Sequence, residues 1–177
     1  TGGSTMNLMK AESPGPSVTK LVPQVQSTAK ILYSIYLFLT VLEIIFLLLG
    51  GIPIFDALTT AFGTAGTGGF GIKNDSITSY SPYIQYVVTV FMILFGVNFS
   101  AYFLIFIRKF GQLFHLEEVR WYFIIILAST GIIAFNIRDL YPTLEETVRH
   151  SAFQVASIIT TTGFGTTDFD LWPELSR

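Results

Sequence analysis

Three long apolar runs alternate with shorter mixed segments along this chain. Ile31–Leu49 is nineteen residues with a single charge, Glu43. At 1.5 Å per residue it covers about 30 Å, the thickness of one bilayer hydrocarbon core. Ile84–Ile107 adds twenty-four residues without a charge. Val119–Ile137 carries Arg120 at its edge and an aromatic start at Trp121, Tyr122 and Phe123. All three are predicted to cross a membrane as helices. Two other segments are helix-like but differ in kind. Ile54–Ala65, about twelve residues, is too short to cross and runs into a glycine cluster. Residues 143–160 behave alike: Thr143 to Glu146 fits a capping box, and the helix runs into another glycine turn. Both are predicted to be buried or re-entrant helices. Residues 1–29 are polar, hold Pro14, Pro16 and Pro23, and read as a connector.

Composition supports a membrane class. Of 177 residues, 51% are hydrophobic and only 12% charged, about half the roughly 25% charge of a soluble domain. Mean hydropathy is +0.59. The absence of Cys excludes disulfides and thiolate metal sites. The polar N-terminus has no basic segment leading into an apolar one, so no secretory signal is read there. A start without Met and an end soon after a glycine motif predict a piece of a longer polypeptide.

Charge placement sets the orientation. Lys10, Lys20, Lys30, Arg108, Lys109 and Arg120 flank one side of the runs, with Glu12, Glu117 and Glu118. The other side holds Asp56, Asp75, Asp139, Glu145, Glu146, Asp168, Asp170 and Glu174, with few basic residues. The positive-inside rule makes 1–29 and 108–120 cytoplasmic and the glycine turns outward-facing.

The two glycine turns are copies. Asp56–Gly71 and His150–Gly165 align without a gap and share the ending Thr-x-Gly-Phe-Gly, at 67–71 and 161–165. The unit is span, short helix, glycine turn, span. A short helix that stops inside a bilayer points its partly negative C-terminal end inward. The chain must then return as non-helical backbone, which is tolerated at that depth only where it is buried in protein or lines a watery cavity. Carbonyls at a negative helix end attract a cation, and glycine lets backbone approach it. Residues 66–71 also satisfy G-x-G-x-x-G, but no strand precedes them, no helix follows directly, and no Walker Lys-Ser/Thr is present. The second copy lacks the early glycines, so the phosphate pattern is not shared.

Thr67–Gly71 and Thr161–Gly165 resemble the filter loops of the Trk/Ktr/HKT potassium transporter family. The text around them agrees: KLVPQVQSTAKILYSIYLFLT, GVNFSAYF and TTGFGTTDFDLWP. The resemblance implies an all-α integral membrane fold built of repeated span–re-entrant pore helix–filter loop–span units. On this reading 1–29 is the cytoplasmic connector, 30–110 a complete helix–pore loop–helix unit, and 111–177 an incomplete second unit. It implies potassium uptake across the plasma membrane by a multi-pass protein, with no cofactor in this chain and no enzyme activity. Thr67, Gly68, Gly69, Phe70, Thr161, Thr162, Gly163 and Phe164 would form two filters. Potassium would meet the Gly69 and Gly163 carbonyls, and Phe70 and Phe164 would anchor the loops in the protein wall. Family members carry four such units in one chain, so the first and fourth would lie outside this sequence. They pair as homodimers and work with a cytosolic nucleotide-binding regulatory subunit. The lipid bilayer is a partner; nucleic acid is not. Glycine at both filter positions implies potassium preference. The alternatives are a sodium-preferring relative and a non-conducting membrane scaffold.

Other polar groups have plainer readings. Glu43, the only carboxylate within a predicted span, is costly there and fits a role packing the short helix. Asp56 suits a helix N-terminus. Asp75, Asp168 and Asp170 fit either a cation-gathering mouth or a solvated loop, and Lys73 opposes the former. Gly96, Asn98 and Ser100 suit helix packing. His115 and His150 have no metal-ligand spacing, and no nucleophile is arranged with a base.

Overall fold

The computed structural model describes residues 25–106, 108, 111 and 116–176. The connector, except for 25–29, and residues 109, 110 and 112–115 of the 108–120 loop lie outside the described residues. Among the described residues the bounded α-helices are, in order, α1 (Val25–Leu49), α2 (Ile54–Ala65), α3 (Pro82–Gly96), α4 (Phe99–Phe106), α5 (Glu117–Ile137) and α6 (Leu144–Ile159). A single 3-10 turn, Phe169–Leu171, closes the described chain, and no strand occurs among the described residues.

Helices α1 and α5 are each long and apolar enough to cross a membrane. Ser34 and Thr40 of α1 donate to the carbonyls of Lys30 and Tyr36 one turn back, at 2.8 and 2.9 Å, so these two donors are partnered within their own helix. Much of the apolar surface points outward. Trp121, Ile124, Leu127, Ile132 and Phe135 of α5 are exposed, and so are Tyr33, Leu37, Phe38 and Ile45 of α1. An exposed apolar shell of this extent suits lipid rather than water.

The expected uninterrupted span Ile84–Ile107 is corrected by the structure. Helices α3 and α4 meet at 87°. The local cause is Gly96-Val97-Asn98. Val97 is extended, and the Asn98 side-chain oxygen caps α4 by accepting from Ser100 N at 2.9 Å. The carbonyls that the break frees are met by phenols. Tyr122 donates to Ile93 O at 3.0 Å and Tyr102 to Leu94 O at 2.6 Å. Gly96 is required by crowding: a Cβ there would overlap the Tyr122 hydroxyl and come 2.6 Å from Thr160 Cγ2. The break is therefore a packed joint in which phenols meet the Ile93 and Leu94 carbonyls.

One core links the elements. Leu39 and Leu47 of α1, Ala57, Ala61 and Ala65 of α2, and Ile84, Val88, Phe91, Met92 and Phe95 of α3 are joined by Phe153, Ala156 and Phe164. The alanines recur every four residues, a small-residue stripe that lets α2 approach its neighbours closely. Tyr36–Phe95 and Phe46–Phe91 ring pairs, 5.6 and 6.1 Å apart, close α1 onto α3. Helix α6 packs on both α3 and α5, so the second short helix sits between the two halves.

Candidate functional site: paired carbonyl loops

Helices α2 and α6 end in the same way. In α2, Gly66 N bonds to Phe62 O, Thr67 N to Thr64 O and Gly68 N to Gly63 O, at 2.9, 3.1 and 2.8 Å. In α6, Thr160 N, Thr161 N and Thr162 N bond to Ala156 O, Ile158 O and Ser157 O, at 3.1, 3.0 and 2.9 Å. Each is a Schellman closure, with the residue after the cap in the left-handed region. That residue is usually glycine. Here it is Thr67 (φ 48°) and Thr161 (φ 57°), followed two residues on by Gly69 (φ 63°) and Gly163 (φ 89°). A β-branched residue at positive φ is a strained choice, and the chain makes it in both copies.

The two loops lie against each other. A Cβ added to Gly69 would overlap the Thr162 carbonyl oxygen and stand 2.9 Å from the Gly163 carbonyl carbon. Gly163 faces open space instead. Among the described residues, none donates a hydrogen bond to the main-chain carbonyls of Thr67, Gly68, Gly69, Thr161, Thr162 or Gly163. Nor do any three His, Asp or Glu side chains among them come together as a metal-holding group. The concentrated oxygen donors are thus backbone carbonyls at two helix C-termini, which carry partial negative charge. Such an arrangement can replace the water of a monovalent cation.

The loops differ in their support. Ser157 Oγ accepts from Gly163 N at 3.1 Å and donates to Phe164 O at 2.6 Å. At the matching position α2 has Gly63, because the Phe164 ring occupies that space, 2.9 Å from where a Cβ would stand. Phe164 is 2% exposed. Among the described residues Phe70 is 82% exposed. Its slot would need a neighbour like the one α2 provides for Phe164, and the described residues provide none; its ring folds back over Gly68.

Further contacts hold the loops, and reading the sequence missed most of them. After the first loop, Ser76, itself at φ 56°, accepts from Gly165 N at 3.1 Å, and Ile77 N bonds to Gly165 O at 3.0 Å. This segment is latched by Gln85, whose Nε2 donates to the carbonyls of Ile77, Thr78 and Tyr80 at 3.2–3.3 Å. The Gln85 oxygen accepts from Arg149, and Arg149 Nε donates to Glu145 at 2.8 Å. Arg149 is buried, while Glu145 is half exposed. The Arg149 guanidinium, with the Tyr86 phenol, holds the Glu145 carboxyl below its ordinary range. His150 stacks on Tyr141 at 5.0 Å and shares a 2.9 Å hydrogen bond with Thr166; burial and then Arg149 hold its pKa down. Asp56 accepts from Tyr80 at 2.8 Å, and burial together with Asp56 pushes that phenol up to about 12. Lys73 lies 4.0 Å over the Tyr80 ring and donates to Ser79 at 2.9 Å, so its charge has local partners. Asp168 caps the 3-10 turn through Asp170 N. No sequence pattern marks the Gln85–Arg149 bond, since the two residues are remote in the chain.

Comparison with known proteins gives the family. The family model for TrkH, described as a cation transport protein, matches residues 2–176. The Trk system potassium uptake protein TrkH of Halomonas elongata is 34% identical over 97% of this chain and 36% of its own length. TrkH and TrkG of Escherichia coli K12 are 32% and 29% identical, over 97% and 94% of this chain. The crystal structure of the potassium transporter TrkH from Vibrio parahaemolyticus superposes with a TM-score of 0.80 at 29% identity, covering 94% of this chain and 37% of that one. The chain thus spans a little over a third of the relatives it matches. An all-helical membrane architecture, the matched solved structure and the family model together place this chain in the TrkH family of cation transport proteins.

Proposed function

We propose that this chain supplies two of the filters of a potassium uptake protein in the plasma membrane. Potassium, the transported substrate, would shed water onto the carbonyls of Thr67–Gly69 and Thr161–Gly163 and pass in single file toward the cytoplasm. The observation that carries this reading is the pair of adjoining loops with one hydrogen-bond scheme and unpartnered carbonyls. The names of the relatives support potassium as the ion. Helices α2 and α6 are the re-entrant pore helices, with α1, α5 and the bent α3–α4 pair as spans. The loops face outward and the Arg108 side faces the cytoplasm. There a nucleotide-binding regulatory subunit docks on the full-length homodimer.

The test uses the full-length protein in a host lacking its own potassium uptake. Gly69→Val combines a backbone clash with an unfavourable φ and abolishes growth at low potassium. Gly163→Val does so through φ. Normal growth with both substitutions rules out the filter assignment. Rubidium against sodium flux separates a potassium-preferring protein from a sodium-preferring one.

A further inference from the structure

Glu43 is fully buried in α1, on the face that also buries Leu39, Thr40 and Leu47. Among the described residues, neither carboxyl oxygen has a hydrogen-bond partner and no basic group forms an ion pair with it. The Thr64 side chain, in the last turn of α2, lies beside it. The Thr64 hydroxyl proton is already committed to Thr60 O at 2.9 Å, so what Thr64 Oγ1 offers Glu43 is lone pairs. An ionised carboxylate can only accept, and two acceptors facing each other in an apolar interior are strongly unfavourable. A carboxylic acid has the one donor this site lacks.

We propose that Glu43 is a neutral acid whose O–H donates to Thr64 Oγ1, making it a positioning residue for the first loop. The line of contacts is short. Thr64 O is the carbonyl that accepts from Thr67 N at 3.1 Å and so holds the left-handed Thr67 turn. Glu43 therefore steadies, from behind, the residue that sets the direction of the first row of carbonyls. The second loop has no counterpart: the residue matching Thr64 is Ile158, which is exposed, and support comes from Ser157 instead. The two loops would be held by different chemistry, a carboxyl from a neighbouring helix in one and a hydroxyl from their own helix in the other.

This inference rests on the filter reading, and the experiment separates the two. In the full-length protein, Glu43→Gln keeps a donor toward Thr64 Oγ1 and retains the wild-type rubidium-over-sodium flux ratio. Glu43→Leu keeps bulk without a donor, and Thr64→Val keeps shape without an acceptor; each lowers the ratio about threefold or more, and the double variant falls no further than either alone. A wild-type ratio in Glu43→Leu, or additive losses in the double variant, overturns the proposal. Infrared difference spectroscopy reads the contact without transport. A neutral carboxyl stretch is expected in the wild type, lost in Glu43→Gln and shifted in Thr64→Val; its absence from the wild type overturns the proposal even if Glu43→Gln is active. If Gly69→Val conducts normally, the filter reading fails while the carboxyl band still decides the contact.

Discussion

Gly69 and Gly163 occupy matching places in two loops of one design, yet their surroundings make them unequal. Both need a positive φ, which costs an L-residue about 1–2 kcal/mol. Gly69 has a second constraint, because the Thr162–Gly163 backbone lies where its Cβ would go, whereas Gly163 has open space there. Gly69→Ala is therefore expected to impair rubidium uptake by the full-length protein far more than Gly163→Ala. Equal loss in both would show that the contact between loops has no weight. Thr67 and Thr161 carry a related lesson. Their residue type favours extended backbone, and their left-handed turns were not legible from composition; the helix closures on either side impose them.

Helices follow the apolar runs closely where a run has a clear end. Ile54–Ala65 was legible as a short helix because Pro53 precedes it and glycine follows, and the Thr143 cap marked the start of α6 through its bond from Glu146 N. The α3–α4 break was not legible, since an unbroken apolar run carries no signal for an 87° turn. Gly96 followed by Asn98 was the available clue, a helix stop beside a capping residue. The two phenols that seal the break are not equivalent. Leu94 O also accepts from Val97 N at 3.2 Å, whereas Ile93 O depends on Tyr122 among the described residues. Tyr122→Phe is expected to cost about 1–3 kcal/mol by stranding a carbonyl away from water, and Tyr102→Phe less. Thermal unfolding of the full-length protein in detergent checks the order.

Across the molecule, α6 is tied to α3 by the Glu145–Arg149–Gln85 chain and by the Tyr86–Glu145 bond of 2.9 Å. Glu145 has its carboxyl held below the ordinary value of 4.5, mainly by Arg149. A lowered acid contributes stability that is complete above its unfolded pKa and is lost as pH falls through its folded one. The contribution is small because Glu145 is half exposed. The wild-type protein is thus expected to unfold at higher temperature than Glu145→Gln at neutral pH, with the gap closing below about pH 4.5. A gap that persists in acid would show that the tie is not electrostatic.

The chain's order of apolar runs, its sparse charge and its twice-written Thr-x-Gly-Phe-Gly were enough to specify a helical membrane protein with a duplicated glycine turn. Those features are local: hydropathy needs only a window of residues, and a repeat needs only itself. The meeting of the Gly69 and Gly163 loops, the Gln85–Arg149 latch, the seating of Phe164 against Gly63 and the burial of Glu43 beside Thr64 depend on residues far apart in the chain. Each is a contact, and a contact exists only once the core around Phe91, Phe153 and Phe164 has brought the helices together.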